Sequence, residues 1–237
     1  ERLDTETAFE HFTNKCIVNK YSNERFDPSD IMTDPGEKGL DGVAICVNGR
    51  VITSNDELES ILGEAKSLDV RFVFIQTKTS EHFDGDEIGT FIYGVKAFFA
   101  PEALRPQTNE KMDNLISLKD EIYRHSIDMT NAPVLDLYYV CCGKWVEGNG
   151  LMSRVNLDIQ PLIDTQNFSS VAFFPYDSEK IITTYKELKK KVSRSFTMEK
   201  KVTFPPIDGV KQAFLGLVKC KDFVTILTDS RIAIIIC

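Results

Sequence analysis

The chain has 237 residues, of which 42% are hydrophobic and 27% charged, and a formal net charge of −8. That is enough apolar chain to bury a sizeable core. No apolar run approaches the ~20 residues a membrane-spanning helix needs, and Glu1-Arg2-Leu3-Asp4 lacks the basic-then-apolar pattern of a signal peptide. Six cysteines without a Cys-x-x-Cys pair (Cys16, Cys46, Cys141, Cys142, Cys220, Cys237) sit mostly in apolar segments. They point to reduced, buried thiols in a cytoplasmic protein rather than to disulfides or zinc. Neither a Gly-x-Gly-x-x-Gly nor a Gly-x-x-x-x-Gly-Lys-Ser/Thr loop occurs, which argues against dinucleotide and ATP enzymes. A Gly-x-Ser-x-Gly elbow is missing too, so a serine hydrolase has no support.

Taken in order, about Thr7 to Tyr21 reads as a helix with Phe9, Phe12 and Cys16 on its apolar face and Glu10 beside them. A turn-rich stretch follows, through Asp27-Pro28, Asp34-Pro35-Gly36 and Gly39. Val43 to Val47 and Arg50 to Thr53 are expected as a hairpin turned at Asn48-Gly49. Ser54 with Glu57 forms a capping box that opens a helix to about Lys66. Val70 to Gln76 is apolar on both faces, as in a central strand covered on both sides. Helices are expected over Ile88 to Phe99 and Thr108 to Ile127, a strand over Leu135 to Cys142, a helix over Val155 to Thr165 and a strand over Ser170 to Tyr176. A basic helix, Ser178 to Lys190, and strands over Arg194 to Thr203 and Ala213 to Val224 complete the chain. The fold class is therefore α/β, with a mixed central sheet flanked by helices and a small, mostly β segment after it. The expected domains are 1–177 and 178–237.

The chemistry-bearing residues are Asp41, at the start of one strand, and the Gln76-x-Lys78 pair, at the end of another. Side chains two apart on a strand share a face, so Gln76 and Lys78 point together, and Asp41 could meet them from a neighbouring strand. A carboxylate and an amide oxygen could hold Mg²⁺ (or Mn²⁺), with the Lys78 ammonium beside the attacking water. Asp-Gly is also a common turn, and a lysine after a buried strand is often its first solvated residue. Glu87 either holds a cation or complements a helix dipole.

Charge is unevenly spread. From Lys180 to Lys201 eight basic residues stand against two acidic ones, so that segment is +6 and the remainder −14. Because phosphate attraction is local, Lys186, Lys189, Lys190, Lys191 and Arg194 could form a DNA- or RNA-binding ridge, or simply a solvated helix face. Both ends read as cut: Glu1 is no initiator, and the chain stops on an apolar run ending at Cys237. The expectation is the N-terminal part of a longer protein, or a chain with a non-native tail.

Residues 8–100 resemble the abortive-infection phage-resistance (AIPR) family. The resemblance rests on Gly39-Leu40-Asp41-Gly42-Val43-Ala44, Val47-Asn48-Gly49-Arg50, Phe72-Val73-Phe74-Ile75-Gln76-Thr77-Lys78-Thr79-Ser80, Phe83-Asp84, Glu87-Ile88-Gly89-Thr90-Phe91 and Gly94-Val95-Lys96-Ala97-Phe98-Phe99. Beyond residue 100 it is loose. It implies a restriction-endonuclease-like domain of the PD-(D/E)xK kind, similar to Mrr-like enzymes, and cleavage of nucleic acid in bacterial anti-phage defence. It also implies that Glu10, on the first helix, adds a metal ligand. Gln76 replaces the usual acidic residue, which weakens the cation site and keeps open a vestigial binding or phage-sensing module. Double-strand cutting would favour a homodimer.

Overall fold

The computed structural model describes residues 3–33, 39–146, 148, 150–189, 198–204, 214–221 and 224. Seven α-helices and two short 3-10 turns accompany seven strands among them. Helix α1 (Thr5–Val18) opens at Asp4, whose carboxylate accepts from the Thr7 backbone N–H at 2.9 Å. A short helix α2 (Pro28–Ile31) follows in the turn-rich stretch. Strands β1 (Gly42–Val47) and β2 (Arg50–Ile52) form the expected hairpin. Asn48 and Gly49 both take positive φ, 51° and 76°, which matches the twist of a tight hairpin turn. The Ser54–Glu57 capping box starts α3 (Asn55–Glu64).

Strand β3 (Val70–Lys78) is the middle of a five-stranded sheet ordered β2-β1-β3-β4-β5, with β4 at Val134–Cys141 and β5 at Ser170–Tyr176. The sheet is mixed, as expected: β1 runs antiparallel to β3, whereas β4 and β5 run parallel to it. Strand alternation sorts the core into two. Val43, Ile45, Phe72, Phe74, Leu137 and Tyr139 join one apolar cluster with α3, α4 (Gly85–Phe99), α5 (Glu110–Arg124) and α6 (Leu151–Asp164). Ala44, Cys46, Val73, Ile75, Tyr138 and Val140 join a second, covered by α1, α2 and α7 (Ser178–Lys189).

Several boundaries differ from the sequence reading. Helix α6 starts at Leu151 rather than Val155, because Gly150 takes φ 76° and breaks the preceding loop there. The first compact unit extends to Glu187, later than the expected boundary at 177, since Ile181 of α7 is buried in the second core cluster. The second unit contains an antiparallel pair, β6 (Met198–Thr203) and β7 (Phe214–Val218), shorter than the strands expected there. Residues 194–197 and 213 lie outside the described residues. All five described cysteines are free; Cys142 and Cys220 are exposed, so burial holds only for Cys16, Cys46 and Cys141.

Candidate active site

The β1–β3 register pairs Gly42 with Ile75, so the residue before β1 reaches the end of β3. The Asp41 backbone N–H donates to the Ile75 carbonyl at 2.9 Å. Three donors then converge on Asp41 Oδ2: Gln76 Nε2 at 2.8 Å, the Thr77 backbone N–H at 2.6 Å and Thr77 Oγ1 at 2.8 Å. Two close approaches account for the glycines around Asp41. Gly39 has φ 75°, and a Cβ there would lie 3.3 Å from Gln76 Oε1 and 3.2 Å from the Phe91 nitrogen. A Cβ on Gly42 would lie 2.5 Å from Asn14 Oδ1. Asn14 is fully buried on α1, and its Nδ2 donates to the Asp41 carbonyl at 3.4 Å.

Burial pushes the Asp41 carboxyl above its ordinary range, opposed by the Thr77 donors, the Lys78 ammonium and the Gln76 amide. Glu10 is pushed up to about 7, first by burial and then by the negative charge of Asp41. Lys78 Nζ lies 3.4 Å from Glu87 Oε1, and Glu87 Oε2 accepts a hydrogen bond from the Tyr139 hydroxyl at 3.0 Å. Tyr139 sits beside Gln76 in the β3–β4 register. Among the described residues, Gln76 Oε1, Asn14 Oδ1 and Thr13 Oγ1 are buried without a hydrogen-bond partner. Such orphaned acceptors cost free energy unless something donates to them or coordinates them.

The sequence-derived residues Asp41, Gln76 and Lys78 therefore meet at the end of the β1–β3 pair, and the charge of Glu10, on α1, acts on Asp41. Glu10 and Asp41 bring two carboxylates together here, and the Lys78 ammonium beside Asp41 is itself paired with Glu87. That charge, with orphaned amide oxygens nearby, fits a hard divalent cation that keeps several waters. No three Asp, Glu, His or Cys side chains converge as a metal cluster among the described residues. A cation held here would therefore need amide oxygen as well as carboxylate.

Thr77, Asn14 and Tyr139 are neighbours that sequence reading did not assign to the site, whereas Glu87 was open there as a cation ligand or a complement to a helix dipole. Thr77 carried a signal, lying inside the motif itself; Asn14 and Tyr139 carried none, since their contacts are set by helix–sheet packing. Of the basic ridge, Lys186 and Lys189 lie on α7, whereas Lys190, Lys191 and Arg194 fall outside the described residues. No helix among the described residues is long and apolar enough to cross a membrane. Comparison of the chain with family models, with curated proteins and with solved structures returned no match.

Proposed function

We propose that this chain is a cation-dependent endonuclease that hydrolyses phosphodiester bonds in DNA, built as a Gln-x-Lys variant of the PD-(D/E)xK type. Its biological setting, bacterial abortive infection against phage as part of an AIPR protein, is proposed on the residues of the 39–99 segment that resemble that family. The observation that supports the activity most is the meeting of Asp41, Gln76 and Lys78 across the β1–β3 ladder, with the charge of Glu10 brought to the same place. In this reading Glu10, Asp41 and Gln76 hold Mg²⁺ (or Mn²⁺), which supplies positive charge against the scissile phosphate.

The chain's own groups do the rest. Asp41 is held by Thr77 so that its carboxylate does not rotate away from the strand end. Lys78 donates hydrogen bonds to the attacking water or to a phosphate oxygen as negative charge builds at phosphorus. Lys186, exposed on α7, would attract the phosphate backbone in this reading. Two copies of the chain, each with one site, would cut both strands.

One observation favours a second reading, a catalytically vestigial nucleic-acid-binding module: the Gln76 amide turns its N–H toward Asp41, so that carboxylate oxygen is already satisfied within the motif. Supercoiled plasmid separates the two. Metal-dependent nicking that a chelator stops and Lys78→Ala abolishes supports the nuclease. Cleavage by Lys78→Ala at the wild-type rate would sink the assignment of that lysine, and binding without any nicking would favour the vestigial module.

A further inference from the structure

We propose that Glu87 is a positioning residue that holds the Lys78 ammonium at the site; its consequence for cleavage rests on the nuclease reading above. Lys78 is the last residue of β3, with a side chain 35% exposed, so nothing in the strand itself confines four methylenes and an ammonium. Glu87 supplies that confinement with both oxygens engaged. Oε1 lies 3.4 Å from Lys78 Nζ, and Oε2 accepts from the Tyr139 hydroxyl at 3.0 Å.

The anchor behind Glu87 is rigid. Tyr139 is fully buried, and the rings of Phe83 and Phe91 lie 5.9 and 6.2 Å from its own. Burial and the Glu87 charge raise its phenol well above the ordinary range, so the hydroxyl remains a donor throughout the physiological range. The backbone is fixed as well: Asp84 Oδ1 accepts from the N–H groups of Asp86 and Glu87 at 2.8 and 3.0 Å, closing the first turn of α4. An ion pair exposed to this degree contributes little to folding. Charge at the helix N-terminus does not require Glu87 either, since Asp86 already occupies that turn. What the Tyr139–Glu87–Lys78 chain does specify is where an ammonium stands relative to Asp41, and positioning of that kind acts on rate.

A double-mutant cycle with Lys78 tests this, read beside crystal structures. Glu87→Gln and Tyr139→Phe are each expected to lower kcat about tenfold with KM little changed, and Glu87→Asp to restore part of it. Lys78→Ala/Glu87→Gln is expected to be no slower than Lys78→Ala, because the two residues act as a unit. In Glu87→Ala crystals the Lys78 ammonium should leave its place while Tyr139 and α4 stay. Additive losses, or an unmoved Lys78 in Glu87→Ala, would overturn the inference. If no variant and no wild type cleaves but Lys78 is displaced, the positioning role stands and the nuclease reading falls.

Discussion

The two ends of β3 carry polar clusters of opposite character. At its start, the buried Asp136 carboxylate is paired with Arg71, whose guanidinium lies 4.6 Å from the Tyr21 ring centroid. Tyr21 links this pair by a hydrogen bond to Tyr138, beside Ile75 further along β3, where Lys20 Nζ donates to the Tyr138 and Tyr176 hydroxyls at 2.9 and 3.0 Å. There the chain supplies its own cations, and each acceptor has a donor. At the other end acceptors outnumber donors: Glu10 and Asp41 repel each other, and Gln76 Oε1 and Asn14 Oδ1 stand without partners. The closed cluster is built for stability. The open one has acceptors to spare, which a bound cation would complete.

The largest expected effect breaks the open end functionally. Lys78→Ala should lower cleavage by about 10²–10³-fold, the usual loss when one stabilising charge is removed from a reacting centre, with circular dichroism and urea midpoint unchanged. Its counterpart at the closed end is Asp136→Ala, which leaves the Arg71 guanidinium without its carboxylate. Because the Arg71 side chain is 33% exposed and keeps the Tyr21 ring, the loss should be about 1–3 kcal/mol, and urea unfolding should show it while cleavage per folded molecule is retained. Gly42→Ala tests the join between α1 and the strand: its Cβ meets Asn14, and overpacking of this kind costs about 1–3 kcal/mol. Cation-dependent cleavage should fall with it.

A smaller effect sharpens the contrast through pH. Glu10 has a folded-state pKa of about 7, raised above its ordinary value, so the folded chain binds the extra proton and is penalised as pH rises toward 7. Glu10→Gln should therefore raise the Tm of the cation-free chain at pH 8 by about 2–4 °C and change it little at pH 4. Millimolar Mg²⁺ should shrink that difference, because a cation replaces the proton. An equal gain at both pH values would contradict the assignment. The smallest effect belongs to α7, where Lys186→Glu should leave stability within about 0.5 kcal/mol and weaken DNA binding.

Which parts of this were legible follows from the range of the interactions involved. Asn48-Gly49 and the Ser54–Glu57 box are local signals, and both turns form where the spacing places them. The continuous apolar run of β3 identified a strand covered on both faces, and the two-residue spacing put Gln76 and Lys78 on one side. Asp41 could be offered as their neighbour only on the spacing of the Asp-Gly and Gln-x-Lys motifs, since the Gly42–Ile75 register itself was not readable. Asn14 and Tyr139 were not legible, since each reaches the site across helix–sheet or strand–strand contacts more than 25 residues distant in sequence. Glu87 could be read as a cation ligand or as a first-turn acid, and only the packing of α4 against β4 reveals that its carboxylate bridges Lys78 and Tyr139.

The most direct test of the central claim is a Mn²⁺ titration of the cation-free chain followed by electron paramagnetic resonance, beside Asp41→Asn. A single saturable Mn²⁺ site that is lost in Asp41→Asn and competed by Mg²⁺ is the result expected of an open cluster completed by a cation. Equal binding by the two proteins, or no binding by either, would contradict it.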